Sequence, residues 1–360
     1  MTMQAVVTMG QGGYEQLAWR QVPRPRPGPG EVLLQVLAAG VNNTDINTRV
    51  GWYGAAVQAT GAGAPPPTEA TLSGWQGATP EETFRQGGIE VATGASFLRL
   101  HGHSENHRFH QQVWTEPTGA QPLRRIRIGL VPGAFYRDHH GTGADGERLL
   151  RLLRVSGHPA ERIPISSFGR TAANALLIRD WLALGGPDGS VLLSLSKGAC
   201  DVKSALADPA AADRTRGWLS LSGLGSGTPL VGWLRRRPWR WAAIWLLLKL
   251  RGQSITTLHD LRHDPEGTLS PWPSLPGDRP LVHIQGVPLT RHLRHPWAHR
   301  GHRRLARLGP NDGGGVLLRD VERWPGVVYP VWGADHYLQP DWDLDAELTR
   351  VFQAFLSRCD

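Results

Sequence analysis

The chain is short of cysteine. Its 360 residues include 2, Cys200 and Cys359, too few for a disulfide framework, so stability has to come from a packed core and a reducing compartment is expected. The opening Met1-Thr2-Met3-Gln4 lacks a basic patch followed by an apolar core, so no signal peptide is expected and the cytoplasm is the default location. Long apolar runs are also missing. The stretch Pro238–Leu250 is apolar but too short to span a bilayer. No recognised nucleic-acid-binding motif accompanies the arginine runs at Arg124-Arg125, Arg235-Arg236-Arg237 and residues 291–307. With a formal charge of +8, those runs are read as solvated surface and no nucleic-acid partner is expected.

What is present divides into two unlike parts. Residues 3–7 alternate as a strand does, and so do residues 31–38. Between them Pro23-Arg24-Pro25-Arg26-Pro27-Gly28-Pro29-Gly30 is a turn-rich connector that regular structure cannot accommodate. Residues 55–80 are rich in Ala, Gly, Pro and Thr and read as a flexible loop.

Met3-Gln4-Ala5-Val6-Val7, Pro27-Gly28-Pro29-Gly30-Glu31-Val32-Leu33 and Ala39-Gly40-Val41-Asn42-Asn43-Thr44-Asp45 resemble the GroES-like start of medium-chain dehydrogenases, in the quinone-reductase branch. In zinc-dependent members a cysteine stands where this chain has Asn42, so the resemblance implies no catalytic zinc. It stops near Trp75-Gln76-Gly77-Ala78-Thr79-Pro80, and no glycine turn between a strand and a helix follows to seat a dinucleotide pyrophosphate. Residues 1–80 are therefore read as a partial dehydrogenase segment fused to another domain, with no cofactor.

From residue 81 the pattern changes. Residues 97–100 and 112–114 read as strands of an antiparallel edge. Strands are expected at 125–131, 162–165, 189–195, 218–223, 281–286 and 327–332, and helices at 145–153 and 172–184. Strands that alternate with helices predict an α/β fold: a mostly parallel sheet with helices on both faces.

Within this second part, Val191-Leu192-Leu193-Ser194-Leu195-Ser196-Lys197-Gly198-Ala199 is an apolar run, then Ser-x-Ser-x-Gly, then a segment able to be helical. A strand, a tight turn and a helix push one side chain out of the end of a sheet and aim the first helical N–H groups at developing negative charge. Ser196 is the candidate nucleophile. A serine hydroxyl needs a base, and His336 in Gly333-Ala334-Asp335-His336 is the candidate. Asp312 in Asn311-Asp312-Gly313 is the acid expected to orient it. Asp335 adjoins His336 and should point away; Asp320 is the reserve. The oxyanion-hole donors are expected to be the N–H of Lys197 and, from the loop Pro132-Gly133-Ala134-Phe135-Tyr136, that of Ala134 or else Phe135. The first glycine of the usual Gly-x-Ser-x-Gly is Ser194 here, small enough for a helix that crosses the strand.

Leu130-Val131-Pro132-Gly133, the Ser194–Gly198 turn, Asn311-Asp312-Gly313 and Gly333-Ala334-Asp335-His336-Tyr337-Leu338 together resemble the esterase and lipase-like α/β-hydrolases over roughly 120–360. The resemblance implies ester hydrolysis through an acyl-serine, without metal or organic cofactor. It leaves the substrate open, because one fold serves many reactions.

Residues 224–260 stand where such proteins insert a cap. Their helix at 238–250 is read as covering an acyl pocket; the other reading is a peripheral contact with a membrane surface. Both point to a hydrophobic small-molecule ester. Two histidine groups, His101/His103/His107/His110 and His292/His295/His299/His302, are read as loop or surface histidines rather than metal sites, the second because Pro296 should break any helix there. His139-His140-Gly141 is placed near the cleft. Two rival readings are a zinc-free NADPH-dependent quinone reductase and a non-catalytic hydrolase-like protein that binds lipid or a partner. Nothing in the sequence fixes the oligomeric state.

Overall fold

The computed structural model describes residues 2–9, 17–25, 27–28, 66–68, 72, 79–116, 126–186, 188–340 and 342–359. The strand expected at 31–38, Asn42, Arg124-Arg125 and most of the 55–80 loop lie outside them. The chain forms two compact units, Met1–Gly61 and Ala62–Asp360.

In the smaller unit β1 (Thr2–Thr8) pairs antiparallel with β2 (Leu17–Pro23), in register from Thr2 opposite Pro23 to Thr8 opposite Leu17. The first strand matches the alternation at residues 3–7. The second is not among the strands expected from the sequence.

In the larger unit α1 (Pro80–Gly102) and α2 (Ser104–Thr115) come first, then β3 (Arg127–Val131), α3 (Glu147–Val155), β4 (Ala160–Arg162), α4 (Thr171–Ala183) and β5 (Ser190–Leu195). There follow α5 (Gly198–Ala205), α6 (Pro209–Asp213), β6 (Thr215–Leu221), α7 (Pro229–Arg235), α8 (Pro238–Leu250), α9 (Thr256–Asp260) and β7 (Leu281–Val287). The chain ends with α10 (Pro296–Leu305), α11 (Leu318–Val321), β8 (Val327–Trp332) and α12 (Asp345–Leu356). The six strands β3 to β8 make one parallel sheet in the order β4-β3-β5-β6-β7-β8, as the alternation of strands and helices predicts.

The strands read as continuous apolar runs because both faces of the sheet are covered. Val191 and Leu193 of β5 point to a core shared with Leu150 of α3 and Phe355 of α12. Leu192, between them, points to the opposite core with Ile178 of α4 and Val202 of α5. That alternation along one strand follows from its two-residue period.

The strands expected at 97–100 and 112–114 are helical instead. Thr79 caps α1: its Oγ1 accepts from the Glu82 N–H at 3.2 Å, and the Glu82 carboxylate accepts from the Thr79 N–H at 2.9 Å, with Pro80 at the first helical position. The buried residues Ala92, Ser96, Phe97 and Leu100, then Phe109 and Val113, recur at helical spacing. Glycines and histidines between them dilute that period, so two short apolar runs pass for strands. The helices cover the β8 edge of the sheet. Phe97 packs on Trp332 with ring centroids 5.1 Å apart, and the Val328 N–H, which faces out of the edge, donates to Asn106 Oδ1 at 2.8 Å. An edge closed this way cannot recruit another strand.

Residues 296–305 correct a second expectation. Pro296 does not break the helix; it opens α10, where a missing N–H costs nothing, and His295 caps it by accepting from the Trp297 N–H at 3.2 Å.

Candidate active site

β5 ends at Leu195, and the chain turns sharply before α5. Ser196 sits in that turn with φ 48°, a left-handed conformation that costs a non-glycine residue on the order of 1 kcal/mol or more. The neighbourhood holds it there. The Ser196 N–H donates to Leu221 O at 3.1 Å, and its carbonyl accepts from Leu224 N at 3.0 Å and Ala199 N at 3.1 Å. Gly198 must be glycine. A β-carbon there would lie 2.6 Å from the Val131 carbonyl oxygen and 2.8 Å from that of Pro132, so only a bare backbone lets α5 start this close to β3. Ser194 is fully buried, and its Oγ accepts from the Trp218 indole N–H at 2.9 Å. A glycine would leave that indole without its partner.

His336 follows the end of β8. Its N–H donates to the Asp312 carbonyl at 2.8 Å, which ties the two loops together. The imidazole bridges the other two candidates: Nε2 lies 2.8 Å from Ser196 Oγ, and Nδ1 lies 2.6 Å from Asp312 Oδ2. Asp312 is itself anchored. Its Oδ1 accepts from the N–H groups of Gly314, Gly315 and Val316 at 2.9–3.0 Å, and its Oδ2 also accepts from Gln285 Nε2 at 3.2 Å. A β-carbon on Gly314 would overlap the His336 ring, so the acid loop and the imidazole fit only with glycine between them.

The electrostatics follow from this packing. Burial pushes the Asp312 carboxyl up, but His336 beside it and the N–H groups of Val316 and Gly314 outweigh that and hold it below the ordinary carboxylate range. Burial pushes His336 down, while the Asp312 charge and hydrogen bond, with Asp335 behind, outweigh it and raise the imidazole above its ordinary value.

The remaining candidates divide. Asp335 is turned away, accepting from the N–H groups of Tyr337 at 2.9 Å and Arg294 at 3.3 Å. Asp320 is not brought to the site; it lies 2.7 Å from His263 Nε2. The N–H groups of Lys197 and Ala134 have no hydrogen-bond partner among the described residues. Phe135 is corrected as a donor: its N–H is committed to Ser167 O at 3.0 Å. With φ 58° and its ring stacked on Phe168 at 4.3 Å, Phe135 instead supplies cavity wall.

Sequence reasoning missed one group. The Lys197 side chain is buried away from the cavity, with Nζ 2.7 and 2.8 Å from the two Asp201 oxygens. Asp201 also accepts from Asn174 Nδ2 at 3.0 Å. The i, i+4 spacing of Lys197 and Asp201 was the available signal. This ion pair fixes the residue whose N–H follows Ser196.

The cavity beside Ser196 and His336 has a volume of about 240 Å³. Leu149, Leu195, Leu221, Leu338 and Leu348 line it, with Trp297 among its walls. Arg148, also in the wall, is neutralised by Asp345 at 2.5 Å and donates to Leu338 O at 2.8 Å. Of residues 224–260, Leu224 alone lines this cavity. His139 lies just outside, against the rings of Phe135 and Trp297. Among the described residues no group of three or more His, Cys, Asp or Glu is arranged to hold a metal ion.

No protein-family model matches the chain. In structure it is similar to a metagenomic carboxyl esterase, with a TM-score of 0.54 and 18% identity over 68% of this chain and 79% of that one. It is also similar to the mature form of a Bacillus licheniformis lipase, with a TM-score of 0.45 and 18% identity over 62% of this chain and 88% of that one. At such identity the first likeness is one of fold: the parallel sheet, its two helical layers and the turn after β5 make this an α/β-hydrolase fold. A short segment is similar in sequence to glucose 1-dehydrogenase of Thermoproteus tenax, 50% identical over 50 residues. The chain spans 14% of that protein's length, so the medium-chain dehydrogenase likeness is confined to a small piece.

Proposed function

We propose that the larger unit is a serine hydrolase that cleaves a carboxylic ester with a lipophilic acyl or alcohol part. The observation that carries this reading is the unbroken chain of short contacts from Ser196 Oγ through the His336 imidazole to the Asp312 carboxylate. Nδ1 protonated toward Asp312 leaves Nε2 as the acceptor for the serine proton. His336 takes that proton as Ser196 Oγ attacks the acyl carbon, and returns it to the departing alcohol. Water, deprotonated by the same imidazole, then releases the acid from the acyl-serine. Asp312 stays ionised throughout and stabilises the imidazolium.

The unpartnered N–H groups of Lys197 and Ala134 are proposed to receive the oxyanion, each donor contributing about 3 kcal/mol at the transition state. The leucine-lined cavity favours an apolar substrate. The experiment is labelling of the full chain with a fluorophosphonate, followed by mapping of the modified peptide. Modification of Ser196, absent in Ser196→Ala, is expected together with loss of short-acyl-ester hydrolysis. Full activity in a folded Ser196→Ala protein would overturn the reading.

A further inference from the structure

The insertion between β6 and β7 carries a surface that hydrolysis of an ester does not explain. α8 is apolar on every side, yet it buries little: Leu248 is 3% exposed, while Trp239, Leu246 and Leu250 are 64%, 51% and 77% exposed. An all-round apolar helix ordinarily belongs in a core or against another apolar phase. The sequence around it is basic. From Arg214 to His259 there is no acidic residue, while Arg235, Arg236, Arg237, Arg240, Lys249 and Arg251 flank or interrupt the helix. A second acid-free stretch runs from Arg279 to Asn311 and includes the outward arginines of α10.

The two basic stretches form one face. Trp233 of α7 lies between two guanidinium groups, Arg240 at 4.0 Å and Arg304 of α10 at 4.2 Å from its ring centroid. Arg235, Arg236, Arg237, Arg240, Arg300, Arg303 and Arg304 form no ion pair among the described residues. Burial, then the like charges of Arg240 and Arg300, weaken the hold of Arg304 on its proton. Like charges gathered around exposed tryptophan and leucine make a face complementary to a surface that is both anionic and apolar.

We propose that α8 and the adjoining arginines of α7 and α10 dock on an anionic lipid bilayer surface, with α8 lying in the plane of the interface. Leucines would reach the acyl region, the indoles of Trp239 and Trp245 would sit at the headgroups, and the arginines would meet the phosphates. A nucleic acid would satisfy the arginines but leave Leu246, Leu247 and Leu250 with no apolar phase. No helix among the described residues is long and apolar enough to cross a membrane, so the contact is peripheral. α10 links this face to the cavity: Trp297 in its first turn lines the cavity wall, and Arg304 lies seven residues further on, roughly 10 Å along the helix. A lipophilic substrate leaving the bilayer would thus have a short path to the cavity. Docking itself does not rest on the proposed hydrolase activity.

The test is co-sedimentation of the full chain with vesicles of phosphatidylcholine alone and with phosphatidylserine added. Binding is expected only to the anionic vesicles, and it should weaken with salt. Each basic side chain near such a surface contributes about a fivefold change in partitioning. Arg235→Gln/Arg236→Gln/Arg237→Gln should therefore lower it on the order of 100-fold. Leu246→Ser/Leu247→Ser should also weaken it, with unchanged circular dichroism in both variants. Ser196→Ala should bind as the native protein does, which separates failure of docking from failure of the hydrolase reading. Absence of binding to anionic vesicles would overturn the proposal. So would binding indifferent to the leucine pair, the mark of a charge-only surface that any polyanion could fill. A concentration-dependent dimer abolished by Leu246→Ser/Leu247→Ser would overturn it too, assigning the face to a second copy of the chain.

Discussion

Asp312→Asn is the most informative single change, because the structure dictates how the amide must sit. The Oδ1 position faces three N–H donors, those of Gly314, Gly315 and Val316, so the amide oxygen must occupy it. The NH2 group then takes the Oδ2 position, 2.6 Å from His336 Nδ1. Two donors cannot face each other there. Nδ1 must give up its proton and accept, which moves the proton to Nε2, the nitrogen 2.8 Å from Ser196 Oγ. An Nε2–H cannot receive the serine proton. A wrong tautomer of this kind costs about 10⁴ in kcat, or about 5.4 kcal/mol of barrier. Gln285 sharpens the expectation. Its Nε2 also points at the Oδ2 position and its buried Oε1 has no partner, so a flip of that amide can satisfy the new NH2 group at the cost of the Nε2 bond to Gly286 O at 3.2 Å, and the variant should remain folded. The assay is kcat for a short acyl ester, with thermal unfolding as the control for the fold. A folded Asp312→Asn protein that retains more than a tenth of the native kcat would refute the reasoning.

Other outcomes follow from the same geometry. In the native protein His336 must be neutral to accept a proton and its pKa is raised. The acidic limb of kcat/KM should therefore lie above the ordinary histidine value of about 6.5, activity being lost as pH falls through it; a limb below that value would contradict the assignment. Gly314→Ala should displace the His336 ring, reduce kcat at least 100-fold and cost about 1–3 kcal/mol of stability through overpacking, measured by ester kinetics and denaturant unfolding. Lys197→Met leaves the Asp201 carboxylate buried without its cation and should destabilise by about 3–5 kcal/mol. The double variant Lys197→Met/Asp201→Leu should recover much of that loss, and equal unfolding midpoints for the single and double variants would exclude the pair as the cause.

Legibility in the sequence tracked the distance over which each decision is made. β5, the turn at Ser196 and α5 are consecutive in the chain, and an apolar run followed by small residues and a helix former suffices to read them. The pairing of Asp312 with His336 is set across 24 residues. Chain order narrowed that choice, but the alternatives Asp320 and Asp335 were separated by where their loops lead. Between Ala134 and Phe135 no local rule applies, because the difference is a hydrogen bond from the Phe135 N–H to Ser167, 32 positions away. α1 and α2 depart from the expectation for the opposite reason. Their signal is local, a capping box at Thr79 and Glu82, while the short apolar runs at 97–100 and 112–114 fit a strand equally well.

Strain marks the same place from another direction. Among the described residues, four non-glycine ones have left-handed φ: Phe135, Ser196, Ser222 and Leu338. Three of them, Phe135, Ser196 and Leu338, line the cavity, and Ser222 is pinned at the end of β6 by its N–H to Ile284 O at 2.8 Å. Each such conformation costs about 1–3 kcal/mol and survives only where surrounding contacts over-determine it. The sheet supplies those contacts from below while the cavity lies above, so the strained backbone forms the rim where rigid structure meets open space. A rim of that kind can hold a hydroxyl, an imidazole and two bare N–H groups in place before any substrate arrives, which is the condition under which oriented dipoles lower a barrier without first having to reorganise.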